Sequence, residues 1–407
     1  MKLLDLHLKN IGPFLDDTIE FATSENSKKQ VTIITGENGT GKTIILDAIR
    51  GLFLGVNNYD SNLKRKITHE SFSLTLSLLL DNNNTQLTSE QYNEYYKSSF
   101  NVNPVLSNKF SDNTKSKGNF WITNYWTSQN DNQSFNIASL DFIKPEDYLI
   151  NSLSGIQKNA ETTKIITFFD YYKSSDKLEQ REEGEFIYNT IKRIFSVSLN
   201  RGELQYVDRT SLLPIININS TEISLDKLSN GNLYLIQRML GLLSQMYSVY
   251  KLNNLPLYEM LETPGVLLID EAENHLHPKW QKTFINSILE IFPNLQIIAT
   301  THSPFIVGSV EGAKVYVCEF HNNHSKIKTI NTEYSNKPID EILISDIFST
   351  TQPFANEEIV SLLEIRKKAI KSKDKQLEKE IEKKLIKINP QYFSYLELDN
   401  LLNSIKE

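Results

Sequence analysis

The sharpest change of hydrophobic period in the chain falls between residues 31 and 53. Val31–Thr35 is a short β-branched run that predicts a buried strand. After a glycine-rich loop, the apolar residues Ile44, Ile45, Leu46, Ala48, Ile49, Leu52 and Phe53 recur at helical spacing. Upstream, strands are predicted at Leu3–Leu8 and Thr18–Phe21, joined by a turn at Asn10-Ile-Gly12-Pro13. Alternation of Phe72, Leu74, Leu76 and Leu78 predicts a strand over Ser71–Leu80, with a hairpin turn at Asp81–Asn84 and a return over Thr85–Thr88. From Glu90 to Gln133 the period is lost among Asn, Ser, Lys and Tyr. This reads as a loop-rich insertion whose one ordered island is Asn119–Trp126. Helical spacing returns over residues 145–196, where Phe168, Tyr171, Tyr172, Phe186, Ile187, Ile191 and Ile194 read as core.

Three short strands follow at Glu203–Val207, Leu212–Ile218 and Glu222–Leu225, and Pro214 marks the second as an edge strand. A helix is predicted over Asn232–Tyr250, then buried strands at Gly265–Asp270, Leu295–Thr300 and Lys314–Glu319. Between the first two of these strands, a helix over Pro278–Phe292 opens on a proline at its first turn. The tail from Ile339 to Glu407 is helical. Such alternation predicts an α/β fold with a mostly parallel core sheet, an antiparallel N-terminal β part, a helical insertion and a helical C-terminal tail. Four regions are expected: an N-terminal lobe over residues 1–90, an insertion over 91–200, a C-terminal lobe over 201–335 and the tail over 336–407.

Composition narrows the class. At 407 residues, with 39% apolar and 23% charged residues, the chain reads as an ordinary globular protein with a large core. No apolar run is long enough to span a bilayer and the N-terminus has no signal-peptide core, so a cytoplasmic protein without membrane contact is expected. The single cysteine, Cys318, excludes an internal disulfide and sits in an apolar run, where it reads as a small core residue. A net charge of −7 argues against a surface coated for nucleic acid but leaves room for a local basic patch.

The candidate chemistry begins in the loop itself. Gly36-Glu-Asn38-Gly39-Thr-Gly41-Lys42-Thr43 has the form G-x-x-x-x-G-K-T between a strand and a helix, the order a phosphate-binding loop requires. Its glycines let backbone N–H groups converge on phosphate oxygens, Lys42 would reach the β- and γ-phosphates, and the Thr43 hydroxyl would hold Mg²⁺. Val266-Leu-Leu-Ile-Asp270-Glu271 is a buried strand ending in two carboxylates. Beside a phosphate loop it reads as a Walker B strand, with Asp270 on the metal and Glu271 orienting and deprotonating a water.

Leu228-Ser229-Asn230-Gly231-Asn232 opens the Asn232–Tyr250 helix and resembles the ABC signature L-S-G-G-Q, with Asn230 in place of the first glycine. The simpler reading is an N-capped helix. Ile297-Ile-Ala-Thr-Thr301-His302-Ser303-Pro304 places a histidine at a strand end and resembles an H-loop. Gln129 is a candidate Q-loop glutamine. His275 and His277 with Glu273 invite a metal-site reading, but no further ligand cluster accompanies them.

The motifs stand in the ABC order, and Glu271-Ala-Glu-Asn-His-Leu-His277-Pro278 resembles the E-x-x-L-H-P run of RecF/SMC/OLD-like ABC ATPases. The resemblance extends through Leu8–Phe14, Phe305–Val317 and Asp340–Phe348 to the Septu- and retron-associated ATPases of bacterial anti-phage defence. It implies an ABC-type ATPase head that binds ATP and Mg²⁺ and homodimerises around the nucleotide, with higher assembly open. Gly36, Asn38, Gly39, Gly41, Lys42, Thr43, Asp270, Glu271 and His302 would act in cis, and Ser229 and Gly231 in trans. It further implies a separately encoded nuclease partner such as an HNH protein. The alternative is a RecF-like clamp that grips DNA; a third reading is a sensor that holds ATP unhydrolysed. Glu364–Lys387 reads as a helical hairpin with Leu362, Ile370, Leu377, Ile381 and Leu385 inward, and as a docking surface for a partner protein or DNA. A built-in nuclease of the TOPRIM type is not expected, because no D-x-D follows Val310-Glu311-Gly312.

Overall fold

The computed structural model describes residues 1–27, 29–54, 70–91, 119–127, 129, 133–140, 143–149, 152–155, 157–199, 202–335, 337–343, 345, 347–348, 357–372, 374–390, 393 and 396. It forms two compact units, Met1–Ile342 and Leu343–Glu407. No helix among the described residues is long and apolar enough to cross a membrane.

In chain order, the first unit begins with strands β1 (Lys2–Ile11), β2 (Phe14–Glu20) and β3 (Val31–Gly36), helix α1 (Lys42–Leu54), and strands β4 (Phe72–Leu80), β5 (Asn83–Gln91) and β6 (Ile122–Trp126). Helices α2 (Asn159–Tyr172) and α3 (Leu178–Ser198) lead to β7 (Gly202–Val207), β8 (Pro214–Ile218) and β9 (Thr221–Ser224). Next come α4 (Asn230–Asn253), β10 (Gly265–Ile269), α5 (Pro278–Gln281), α6 (Phe284–Ile291) and β11 (Leu295–Thr300). Then follow α7 (Pro304–Val307), β12 (Lys314–His321) and β13 (His324–Ile330), with a short helical turn over Ile339–Leu343 where the unit ends.

Ten of these strands form one mixed sheet in the order β5-β4-β1-β2-β13-β12-β3-β11-β10-β6. From β12 to β6 neighbouring strands run parallel. At the other end, β2-β1-β4-β5 is antiparallel. The expected α/β architecture is therefore present, with its two halves fused edge to edge. The parallel strands β10 and β11 are buried along their whole length, as strands covered on both faces must be. In β4, strict alternation buries every second residue instead. Ile45, Ile49 and Phe53 of α1 share a continuous core with Leu6, Leu8, Phe14 and Leu76 of the antiparallel part. This packing fixes the start of α1 against the end of β3.

Several local expectations are corrected. The island at Asn119–Trp126 lies in the stretch read as loop, yet Ile122–Trp126 is the parallel edge strand beside β10, with Trp126 opposite Ile269. Most of the remaining insertion, residues 92–118, lies outside the described residues. Pro214 heads the central strand of the separate sheet β7-β8-β9, not an edge strand. A proline's missing N–H is tolerated at a strand's first residue. The single helix expected over Pro278–Phe292 is broken into α5 and α6. The Thr283 N–H and hydroxyl both turn back to Trp280 O, at 3.0 and 3.3 Å, in competition with helical continuation.

In the second unit, α8 (Glu357–Ser372) and α9 (Lys375–Ile388) form a hairpin around Leu362, Ile381, Leu385, Phe393 and Leu396. Ile370 and Leu377, expected inward, are 45% and 36% exposed. Ala369 takes the inward position on α8, and one residue further along a helix is turned about 100° away.

Candidate active site

Three parallel strands deliver the candidate residues to one sheet edge. β3 lies between β12 and β11, and Gly36 is level with Cys318. Gly36 has φ +137°, and a Cβ there would collide with the Cys318 carbonyl, so only glycine lets the chain leave the strand at this point. Gly39 and Gly41 also have positive φ, and Asn38 is exposed in the loop between β3 and α1. The neighbouring Cys318 thiol is pushed up to about 12 by burial, which fits a packing role.

The Lys42 side chain folds back over this loop. Its ammonium donates to Gly36 O at 3.0 Å and Glu37 O at 2.7 Å. Burial lowers its pKa, against the attraction of Glu273, Asp270 and Glu271. A cation held only by carbonyls, above a loop of N–H groups and a helix N-terminus, fits a polyphosphate.

At the end of β10, Asp270 Oδ1 accepts from the Thr43 hydroxyl at 3.1 Å and from the Thr300 hydroxyl at 2.6 Å. Burial raises the Asp270 pKa, so its anionic form is under-compensated by these hydroxyls. A carboxylate and a hydroxyl are hard oxygen donors, the kind a small divalent cation takes. Glu271 follows with φ +52°, a left-handed conformation unusual for a non-glycine residue. Its N–H donates to Thr300 Oγ1 at 2.8 Å, and the Asn274 amide donates to its carboxylate. The left-handed backbone turns the chain out of β10 directly at the candidate base.

Beyond it, Glu273 accepts from the Thr301 hydroxyl at 2.6 Å and from the His302 N–H at 2.8 Å. Gln281 donates to Leu276 O at 2.8 Å and accepts from Ser303 Oγ at 2.6 Å. The loops after β10 and β11 are thereby joined into one hydrogen-bonded block. His302 is half-buried, and burial followed by the nearby Lys42 charge lowers its pKa, favouring neutral imidazole. His277 accepts from the Lys279 N–H as the cap of α5. Among the described residues, no three His, Cys, Asp or Glu side chains gather as a metal-binding group.

Gln129 lies just past the end of β6. The Asp270 N–H donates to Trp126 O at 2.9 Å, which sets the two strand ends level. Arg238 of α4 donates to Thr127 O at 3.1 Å and Gln129 O at 2.9 Å, and Tyr234 OH donates to Thr127 O. Ser229 and Gly231 are elsewhere. Ser229 is the exposed N-cap of α4 with no side-chain capping bond. A Cβ on Gly231 would strike His275 O, so glycine permits a close approach between α4 and the loop after β10. Between them lies a groove of about 410 Å³ lined by Ser229, Gly231, Asn232, His275, His277 and Trp280, with no residue of loop 36–43 among the described ones.

The structure thus brings Gly36, Lys42, Thr43, Asp270, Glu271 and His302 to one edge, and sets the L-S-N-G turn against the loop after β10, in a groove that no described residue of loop 36–43 lines. Sequence reasoning assigned no role to Thr300 and Thr301 and suggested Glu273 only as a metal ligand, whereas these three side chains tie that edge together; Thr300-Thr301 directly before His302 was a visible polar signal. It also missed Phe320, which is 56% exposed; a Cβ on Gly39 would lie 3.9 Å from its ring.

A family model described as "AAA domain, putative AbiEii toxin, Type IV TA system" matches residues 31–308. The chain is similar to the Septu protein PtuA of Bacillus thuringiensis, 26% identical over 396 residues, covering 93% of this chain and 90% of that protein. It is also similar to the Retron Ec83 probable ATPase of Escherichia coli, 22% identical over 398 residues, covering 78% and 71% of the two chains. Among solved structures, the SMC head domain from Thermotoga maritima aligns over 82% of this chain and 100% of its own, with 16% identity and a TM-score of 0.44. The family match takes in more than half of the chain, from the first residue of β3 to beyond Ser303, and the protein accordingly belongs to this AAA-domain family.

Proposed function

We propose that the protein binds and hydrolyses ATP at loop 36–43, homodimerises around it, and through that cycle controls a separately encoded nuclease in anti-phage defence. The observation that carries the ATPase reading is the contact of Thr43 with Asp270, placed immediately before Glu271. Mg²⁺, when bound, would neutralise phosphate charge, and Thr43 and Asp270 are the residues suited to hold it. Lys42 binds and orients the phosphates. Glu271 holds the attacking water and takes its proton, Asn274 limiting the carboxylate's freedom. His302 hydrogen-bonds at the terminal phosphate in its neutral form.

The dimer reading is supported by the exposed turn at Ser229 and Gly231, an anion-receptive helix start that borders the loop after β10 and not its own phosphate loop. The likeness to the Septu protein PtuA and to a retron ATPase supports the defence setting; the nuclease partner rests on the resemblance of the sequence motifs alone.

Affinity capture of the tagged protein from its native host, with ATP present, tests the effector. A nuclease recovered in stoichiometric amount is expected. The ATPase alone, or duplex DNA without a nuclease, would move the assignment to a RecF-like clamp. Light scattering tests the dimer: ATP should double the mass of the wild type and not that of Ser229→Arg.

Phe320 supplies an exposed aromatic face beside the phosphate loop, suited to stack on the base. Phe320→Ala should weaken ATP binding about tenfold, since base–aromatic stacking contributes roughly 1–3 kcal/mol. Turnover at saturating ATP should be unchanged. Equal affinities in a fluorescent-nucleotide titration would remove Phe320 from the site.

A further inference from the structure

A second polar cavity lies apart from the phosphate loop, between α4, α2 and the end of β6. Its volume is about 180 Å³. Arg238, Gly241 and Gln245 line it from one face of α4, as positions three and four residues apart on a helix do. Arg238 is largely held by the backbone, because besides Thr127 and Gln129 it donates to Gly155 O at 2.5 Å. Gly241 leaves a gap into which the Gln157 amide reaches; a Cβ there would lie 2.7 Å from Gln157 Oε1. Gln245 is 4% exposed, yet its buried Oε1 has no hydrogen-bond partner among the described residues. A buried amide oxygen without a donor is costly, and a ligand that supplies one removes the cost.

The mouth is charged. Lys158 and Lys164 line it with Glu161 between them, and none of the three forms an ion pair among the described residues. The cavity therefore offers planar amides within and two ammonium groups, with the Glu161 carboxylate between them, at its entrance. A primary amide pairs in two-point fashion with a heterocycle edge that presents both a donor and an acceptor. The volume leaves room for a base-sized ring against the amides, with the anionic end at the lysines.

We propose that this cavity is a second ligand site that takes a nucleoside monophosphate, base inward against Gln245 and Gln157 and phosphate at Lys158 and Lys164. Arg238 forms one wall and also holds the carbonyls of Thr127 and Gln129, so the site adjoins the strand end that meets Asp270. The proposal does not depend on the phosphate-loop reading.

The test uses the full chain carrying Lys42→Ala, which disables the phosphate loop, titrated calorimetrically with AMP, GMP, CMP and UMP. At least one should bind saturably. Gln245→Leu and Lys164→Glu, each added to that background, should weaken it about tenfold. No saturable binding of any of the four, or binding that both substitutions leave unchanged, overturns the proposal. Should Gln245→Leu fail to fold, Lys164→Glu and Lys158→Glu at the solvent-facing mouth decide it. Failure here leaves ATP binding by the wild type untouched, and loss of ATP binding in the wild type leaves this site untouched.

Discussion

Glu271→Gln should keep ATP affinity and lose turnover by about 10²–10⁴-fold, the range a positioned general base contributes. The substitution preserves the side-chain length and an oxygen that can still accept from Asn274, so the turn after β10 should survive. What it removes is the group able to take a proton from water. The left-handed backbone at Glu271 belongs to the turn and not to the side chain's charge, which is why glutamine is tolerated there as glutamate is. An ATP-bound dimer should therefore accumulate. Single-turnover hydrolysis beside equilibrium binding separates the two effects. Turnover at the wild-type rate would remove Glu271 as the base and shift attention to His302.

Lys42→Ala should weaken ATP binding by roughly a thousandfold or more, the scale of losing a buried charge that pairs with a polyanion. Lys42 is the cation that faces Asp270, Glu271 and Glu273, so its removal leaves incoming phosphates opposed by three carboxylates. The loss should not be one of folding. Burial holds the Lys42 pKa below its unfolded value, so wherever the side chain is charged in the folded state its burial costs stability, a cost that fades as pH rises from the folded to the unfolded pKa. Deleting it should leave the melting temperature of the nucleotide-free protein unchanged or higher. A lower melting temperature, or retained ATP affinity, would contradict this account of the loop.

The elements legible in the sequence were those with an internal signal. The β-branched run of β3, the glycines after it and the helical spacing of α1 need no distant partner to be read. The same holds for β10 and for the strand that ends at His302. Elements defined by their neighbours were misread. β6 carries aromatic and polar residues without a period because it is an edge strand whose identity comes from pairing with β10. Pro214 is a local signal whose meaning changed with position, since it stands at a strand's first residue, and Thr283 marks a helix break that the apolar period of 278–292 did not show.

The sequence by itself determined the phosphate loop, the paired carboxylates and the α/β class, because period and glycine placement act over a few residues. Only the tertiary structure decided which side chains meet. Thr43 and Asp270 are 227 positions apart, and Glu273 reaches His302 across 29. Those contacts depend on the order β3-β11-β10, which arises from parallel pairing between strands remote in the chain. Long-range pairing leaves no periodic trace in either partner, so the cavity beside Arg238 and the groove beside Ser229 could be found only once the sheet was in place.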